Sequence, residues 1–413
     1  MRILNFGSCN IDLVYSVDHI LRPGETIAAL GVNTFPGGKG LNQSVAVARA
    51  GAEVFQAGCI GEDGGLLLQC MHDSGINTKY LRTVDDKTGH AIIQVDKNAE
   101  NAIVIYGGAN ARITTEHVDT VLCDFSEGDF LLTQNETCEV PYLIHEAAKK
   151  GLQVVFNPSP FNEKIKDINL CDITYLILNE VEAEGLWGTC DAASIQPIIQ
   201  NLYPHLRVVL TLGKRGAVYF DKDMLCRQCA FQVDSIDTTG AGDTFLGYFV
   251  SCISKNHTPK SAMRYASAAS AITVSRKGAS SSIPTMDEVE EKLQILEPNG
   301  NCASDDTKNK AMRFFELRYR DGTLSMLAEQ LGYTPSYTSN WIKTNMDTTF
   351  TALLHDAKCR AAAKFLEDTS HPISEIIHAV GYQNESFFRQ VFRQRYNCTP
   401  LKYRQRRTTH HAV

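Results

Sequence analysis

Short apolar runs broken by polar residues set the rhythm of the first two thirds of the chain. Residues 2–7 alternate into Gly7-Ser-Cys-Asn-Ile-Asp12, which predicts a first strand ending in polar groups. Thr26–Phe35, His90–Val95 and Ile103–Tyr106 are further β-branched or apolar runs interrupted by polar positions. Leu41–Ala50 reads as a helix of small residues, and Ala57–Ile60 as a short buried strand. From position 129 strands and helices alternate. Phe130–Gln134, Val154–Asn157, Tyr175–Asn179 and Val208–Leu212 are the strands, with helical stretches such as Pro141–Lys150 between them. This alternation predicts an α/β body: a mainly parallel sheet flanked by helices on both faces. Ligands then belong at the carboxyl ends of the strands. Polar groups do gather there, at Gln134-Asn-Glu136, Asn157-Pro158, Asn179-Glu-Val-Glu182 and Thr211-Leu-Gly213. Thr285–Leu296 reads as the last helix of the body, and the turn-rich Glu297–Asp306 as a linker. Beyond it the pattern is helical throughout. The expected division is a body over 1–297, a linker over 298–307 and an all-α tail over 308–413.

A length of 413 residues fits two domains. Hydrophobic content of 43% and charged content of 21% are those of a soluble globular protein, and no apolar run reaches the ~20 residues that span a bilayer. The first residues read directly as a strand, without a signal-peptide core. An odd count of 13 cysteines, scattered and mostly in apolar segments, suits reduced thiols in a cytoplasm. The lone Cys226-Arg-Gln-Cys229 reads as hairpin sequence, not as a metal or redox site. The net charge of −7 conceals an asymmetry. From Asp305 onward there are 16 Lys and Arg against 11 Asp and Glu, while the remainder is strongly acidic. Only the tail is suited to a polyanion.

The stretch with most chemistry is Asp237-Thr-Thr-Gly-Ala-Gly-Asp-Thr-Phe245. It runs from an extended segment through Gly-Ala-Gly into an apolar helix. Gly240 and Gly242 let the backbone approach a ligand without a Cβ in the way. The free N–H groups of Gly240, Ala241 and Gly242 at the new helix start make an anion site. Asp243 sits inside that site, where a carboxylate makes sense as a base taking a proton from an attacking hydroxyl.

This nonamer resembles the C-terminal signature of the PfkB sugar kinases, in their ribokinase branch, and Gly37-Gly-Lys-Gly-Leu-Asn-Gln43 resembles the N-terminal one. The resemblance covers about 1–297 and implies a ribokinase-like fold with a small β lid. It implies a sugar pocket made by Asn10, Asp12, Gly38, Lys39, Gly40, Asn42 and Glu136 together with Asp243. Asn10 and Asp12, two apart on an extended segment, face one side, and an amide beside a carboxylate suits vicinal hydroxyls. Asn179 and Glu182 match the family's N-x-x-E element, implying a magnesium ion held through waters. Thr211, Leu212, Gly213, Lys214, Arg215 and Gly216 resemble the ATP loop, with Gly242 at the phosphates; no P-loop motif is present. Arg276-Lys-Gly-Ala-Ser-Ser-Ser-Ile-Pro284 resembles the loop that, with the Asp237 segment, encloses a potassium ion. The implied ligands are the Asp237 carboxylate, the Ser282 hydroxyl, and carbonyls of Thr239, Thr273, Arg276 and Gly278. The implied substrate is ribose, ranked above 2-deoxyribose, nucleosides and phosphorylated hexoses. The implied assembly is a homodimer through the lid strands.

The tail repeats one grammar twice: an amphipathic helix, a Gly turn, then a second helix. Thr323–Tyr333 leads into Thr334–Lys343, and Ile373–Tyr382 into Gln383–Arg393. The pair resembles the AraC/XylS-type DNA-binding domain. The first unit departs from the family, with Thr338 where a core leucine is usual and Asp347 where a glycine usually ends the turn. The outward residues of the two recognition helices are Ser336, Ser339 and Asn340, then Ser386, Arg389 and Gln390. These reach toward base edges, while Lys343, Arg393 and Arg404–Arg407 suit phosphates of duplex DNA. The expected protein is an ATP-dependent ribose kinase whose tail regulates sugar-use genes. The rival expectations are a regulator using the kinase body as a sugar sensor, a kinase for another sugar or nucleoside, and a kinase with an inert helical tail.

Overall fold

The structure is a computed structural model and describes residues 1–98, 100–296, 303–331, 333–346, 348–368 and 371–408. The chain divides into two units, 1–300 and 301–413. In the first, β1 (Ile3–Phe6) leads into β2 (Asn10–Ser16), β3 (Gly31–Gly37) and α1 (Lys39–Arg49). Then come β4 (Val54–Ile60), α2 (Gly65–Asp73), β5 (Asn77–Thr83), β6 (Gly89–Val95), β7 (Asn101–Tyr106) and α3 (Thr115–Leu122). The alternation continues with β8 (Phe130–Gln134), α4 (Val140–Lys149), β9 (Gln153–Asn157), β10 (Tyr175–Asn179), α5 (Glu180–Trp187), α6 (Ala192–Leu202) and β11 (Arg207–Thr211). β12 (Ala217–Phe220) and β13 (Leu225–Gln228) form a hairpin, followed by α7 (Ala241–Ser254), α8 (Pro259–Val274) and α9 (Met286–Leu296).

Nine strands form one sheet in the order β13-β12-β11-β10-β9-β8-β1-β4-β5. All pairs from β11 to β5 are parallel, and the two pairs at the other edge, β11–β12 and the β12–β13 hairpin, are antiparallel. Cys226 lies in that hairpin, as its sequence indicates. Successive residues of the central strands point to opposite faces, and both faces are covered. Ile3, Phe130 and Leu132 pack with the side of α1, α7 and α8, while Leu4, Phe6 and Leu131 pack with the side of α3, α4 and α6. A second sheet, β3-β2-β6-β7, is the small β lid. Its β3 begins only at Gly31, so residues 26–30 of the expected run carry no strand.

Helices α1 and α7 lie unusually close. A Cβ on Gly247 would come within 2.4 Å of the Ala46 side chain, so only glycine permits this approach. That proximity brings the start of α1 onto the start of α7, where the polar motifs converge.

The second unit contains α10 (Ala303–Arg318), α11 (Leu324–Leu331), α12 (Pro335–Met346), α13 (Phe350–Asp368), α14 (Ile373–Ala379), α15 (Glu385–Tyr396) and α16 (Pro400–Thr408). Residues 303–307, expected in the linker, already belong to α10; the rest of the expected linker lies outside the described residues. Two apolar cores share the 19-residue α13. Phe314, Phe315, Leu327, Trp341 and Ile342 make the first, and Leu366, Ile377, Val380, Phe388 and Phe392 the second. Thr338 is fully buried where a leucine was expected, and its hydroxyl donates to the Thr334 carbonyl at 3.0 Å. The polar atom is satisfied within its own helix, so the position remains compatible with a core. Asp347 lies outside the described residues.

Candidate active site

Asp243 sits in the first turn of α7, behind Gly240, whose φ of 74° places it in the left-handed region that glycine tolerates. The carboxylate is buried at 8% exposure. Asn42 Nδ2 donates to one oxygen at 3.1 Å and Gln43 Nε2 to the other at 2.9 Å. Both donors come from α1, so the helix approach at Gly247 sets the position of this carboxylate. Behind them runs a buried amide network. Gln134 Nε2 donates to Gln43 Oε1 at 2.7 Å and to Asn5 Oδ1 at 3.0 Å. Asn5 Nδ2 in turn donates to the Gly40 carbonyl at 2.6 Å and to Ser44 Oγ at 2.8 Å. Such a network fixes which way each amide points. Asn42 Oδ1, buried and aimed away from Asp243, has no hydrogen-bond partner among the described residues. A buried acceptor left open in this way suits a donor on a ligand.

Lys39, at the start of α1, is half-buried, and Asp243 first, then Glu136 and Glu182, raise its pKa against the opposing effect of burial. Its backbone N–H donates to Glu136 at 3.1 Å. Glu136 also accepts from Ser8 Oγ, and burial pushes its carboxyl up. Asp12 is half-buried on β2, and burial followed by the nearby charge of Glu136 pushes its pKa from its ordinary 3.8 to about 7. Asn10, at 5% exposure, accepts from Asn110 Nδ2 at 2.7 Å. Of the residues expected from sequence, Lys39, Asn42 and Glu136 thus lie near Asp243, and Asp12 lies near Glu136. Ser8, Gln43 and Asn110 join them without having been expected, and Gln134, at a strand end already singled out, holds Gln43. Gln43 stood inside a motif already singled out, whereas nothing in the sequence marks Asn110.

The shift at Asp12 has a sign that can be tested. An unfolded carboxyl ionises near its ordinary value, and the folded one keeps its proton to about 7. The folded state therefore binds more protons between these limits, and this group's contribution to stability falls as pH rises through the window. Asp12→Asn is expected to raise Tm of the sugar-free protein at pH 7.5 and to lose that advantage toward pH 4, while sugar binding is lost. Thermal melts of both proteins across this range check it; a lower Tm for the variant at pH 7.5 contradicts it.

At the carboxyl ends of β10 and β11, Asn179 and Glu182 form a capping box at the start of α5. Asn179 Oδ1 accepts the Glu182 N–H at 3.0 Å, and Glu182 Oε2 accepts the Asn179 N–H at 2.9 Å. Glu182 is buried at 3% exposure, burial raises its carboxyl, and it lies close enough to sense both Lys39 and Asp243. Thr211 pairs directly with Asn179 across the sheet. The turn Gly213–Arg215 follows, and Arg215 forms an ion pair with Glu180. Gly213 through Gly216 therefore shares the strand-end edge with the capping box.

Asp237 ties two loops together. One oxygen accepts from the Thr239 N–H at 2.9 Å and from its hydroxyl at 2.6 Å, and the other accepts the Gly278 N–H at 3.0 Å. Burial pushes this carboxyl up, but the donors outweigh it and hold it below its ordinary range. Ser282 Oγ donates to the Ala279 carbonyl at 2.7 Å, which leaves its lone pairs free for a cation. Arg276 is held by Glu288, and its N–H bonds the Thr273 carbonyl at 3.1 Å. Among the described residues no group of three or more His, Cys, Asp and Glu is arranged to hold a metal, and no helix is long and apolar enough to cross a membrane. Twelve described cysteines are free thiols.

In the second unit Ser336, Asn340, Ser386, Arg389, Gln390 and Arg393 are exposed on α12 and α15, and Ser339 is half-buried. Arg389, Gln390, Arg393, Gln394 and Thr399 line one shallow depression. Arg389 also pairs with Glu385 one turn earlier, at 3.2 Å. Arg404 donates to the His371 carbonyl at 2.7 Å, and the side chains of Arg406 and Arg407 lie outside the description.

A parallel sheet, a β lid and a carboxylate at a helix start are an arrangement shared with sugar phosphotransferases. Residues 2–286 match the pfkB family carbohydrate kinase model, and residues 327–406 match a helix-turn-helix domain. The ribokinase of Haemophilus influenzae is 38% identical over 300 residues, covering 70% of this chain and 97% of that protein. The crystal structure of ribokinase from Thermotoga maritima has a TM-score of 0.63 at 35% identity, covering 71% of this chain and 99% of the other. The Arabidopsis thaliana ribokinase complexed with ribose and ATP has a TM-score of 0.62 at 27% identity, covering 71% and 98%. The chain belongs to the pfkB family of carbohydrate kinases. Within that family it is a kinase of the ribokinase type, joined to a C-terminal helix-turn-helix DNA-binding domain of AraC type.

Proposed function

We propose that residues 1–297 transfer the γ-phosphoryl group of ATP to the 5-hydroxyl of ribose, and that the helical tail from α10 onward binds duplex DNA and regulates sugar-use genes. The observation that carries the kinase reading is the Asp243 carboxylate, held by Asn42 and Gln43 at the N-terminus of α7. Asp243 takes the proton of the primary hydroxyl, and that oxygen attacks the γ-phosphorus in line. The new O5–P bond forms as the bond to the β–γ bridging oxygen breaks, leaving ADP. The N–H groups of Gly240 and Gly242 face the charge on the transferring group, the Ala241 N–H being held by the Thr238 carbonyl at 3.3 Å where a free donor was expected, and Lys39 offsets negative charge beside Asp243 and Glu136. Positioning and electrostatics supply most of the acceleration in such a transfer.

Asn10, Asp12, Gly38, Lys39, Gly40, Asn42 and Glu136 form the sugar pocket in this reading, and the open Asn42 acceptor supports it. Thr211, Leu212, Gly213, Lys214, Arg215 and Gly216 take the nucleotide, with Gly242 at its phosphates. Asn179 and Glu182 hold Mg²⁺ through waters, which fits a carboxylate whose oxygens already serve a cap. The ion neutralises phosphate charge when bound.

The donor set at the second loop fits a large, weakly hydrated cation: one carboxylate, Asp237, one hydroxyl, Ser282, and carbonyls of Thr239, Thr273, Arg276 and Gly278. Potassium there steadies the turn that presents the anion site. Turnover is expected to rise with K⁺ and to fall when Na⁺ or a bulky organic cation replaces it. Steady-state rates in matched chloride salts check this, and rates indifferent to the cation contradict it. We also propose a homodimer contact at the lid, where Val32 on one edge strand, Val104 and Ile105 on the opposite edge strand, and Leu30 just before the first are 56–77% exposed. The kinase reading is tested by ADP release that requires added ribose.

A further inference from the structure

The 3₁₀ turn Gly108–Arg112, where the lid returns to the body, carries a buried amide that the mechanism above does not use. Asn110 is 2% exposed. Its Oδ1 accepts the Cys9 N–H at 3.0 Å, and its Nδ2 donates to the Cys9 carbonyl at 3.3 Å. These two backbone groups dictate which end of the amide is oxygen. A reversed amide would set N–H against N–H and carbonyl against carbonyl. Nδ2 then has a second hydrogen, and it donates to Asn10 Oδ1 at 2.7 Å. Asn10 is therefore required to give its oxygen to Asn110. Its own Nδ2 makes no hydrogen bond among the described residues. Gly89 on β6, the register partner of Asn10, closes the other side: a Cβ there would lie 2.2 Å from Asn110 Nδ2 and 2.5 Å from Asn10 Oδ1.

The consequence concerns the neighbour two residues on. Asp12, when ionised, only accepts hydrogen bonds. With Asn10 oriented by Asn110, the strand offers one donor and one acceptor on the same face. A sugar hydroxyl can satisfy both, because it donates and accepts. Were Asn10 free to rotate by 180°, two acceptors would stand side by side and no donor would meet the hydroxyl oxygen.

We propose that Asn110 is a positioning residue that fixes the polarity of Asn10, and through it the preference for ribose over a deoxy sugar lacking the hydroxyl that Asn10 serves. The proposal rests on the ribose-kinase reading. Polar groups built to bond a hydroxyl reject analogues without it because they are left unpaired.

The test compares wild type, Asn110→Ala and Asn110→Asp on ribose, 2-deoxyribose and 3-deoxyribose. The aspartate keeps the size of the side chain but presents only acceptors. It bonds the Cys9 N–H with one oxygen, while the other, unable to donate to the Cys9 carbonyl, draws Asn10 Nδ2 and turns the Asn10 oxygen toward the sugar. Both variants are expected to raise KM for ribose about tenfold, the worth of one hydrogen bond, while kcat changes by less than about threefold. The kcat/KM of one deoxy sugar is expected to stay within about threefold of wild type, because the hydroxyl concerned is already absent. Equal losses on all three sugars, or an unchanged KM for ribose, overturn the proposal. If Asn110→Ala does not fold, Asn110→Asp decides alone. A wild-type protein inactive on ribose overturns the kinase reading first, and the proposal with it.

Discussion

Asp243→Asn is expected to lower kcat by about 10²–10⁴-fold, the usual cost of losing a general base. The substitution keeps shape and volume but removes the group that takes the hydroxyl proton. It also disturbs what holds that group. Asn42 Nδ2 and Gln43 Nε2 each donate to one oxygen of Asp243, and the variant offers only one oxygen. One buried donor then faces an NH₂ group, at a cost of about 1–3 kcal/mol. Gln43 is itself fixed by Gln134, so it cannot turn its oxygen forward without breaking the network behind it. A modest fall in Tm is thus expected alongside the loss of turnover. Ribose affinity should change little, because most pocket contacts come from other residues. Steady-state kinetics and calorimetric titration of ribose separate the two quantities. Turnover near that of wild type removes Asp243 from its role.

The second large effect concerns the helix-turn-helix domain. DNA affinity of the full chain is expected to fall steeply with salt, because phosphate contacts release counterions. With six to ten such contacts the loss between 50 and 200 mM is about 10³–10⁵-fold. Arg389→Ala with Gln390→Ala is expected to weaken sequence preference more than non-specific binding, since both are exposed on the helix α15 that carries the second motif. Arg389 must exchange its Glu385 partner for a base edge, so Glu385→Gln is expected to tighten binding slightly. Selection from a random duplex library, followed by affinities over a salt series, checks both statements. A chain that selects no sequence, or whose binding ignores salt, contradicts them.

The periodicity of the chain carried the α/β body well, because strands buried on both faces read as short apolar runs. Phe130–Gln134 and Tyr175–Asn179 begin and end where that pattern does. The lid was less legible. Thr26–Phe35 is apolar enough for a strand, yet pairing with β2 begins at Gly31, since only those residues find a partner ladder. The linker was misjudged at its far end, because a polar stretch can still start a helix: α10 opens at Ala303. In the site, the motif residues of α1 and α7 could be read off, but the contacts holding them could not. Gln43 and Gln134 are 91 positions apart, and Asn10 and Asn110 are 100 apart. Nothing local distinguishes a buried amide of such a network from an ordinary polar residue. Asn179 and Glu182 show the reverse difficulty. Their spacing is equally that of a helix cap, and a cap is what their hydrogen bonds make.

Ribose is the expected phosphoryl acceptor, with Asp243 as its base. The most direct measurement follows ADP formation by the full chain with Mg²⁺ and K⁺ over a panel of ribose, 2-deoxyribose, fructose, ribose 5-phosphate and nucleosides, with the product identified by NMR. The expected result is the highest kcat/KM with ribose, a phosphate on O5, and loss of that signal in Asp243→Asn. A higher kcat/KM with another acceptor, a phosphate on another oxygen, or unchanged turnover in the variant contradicts it.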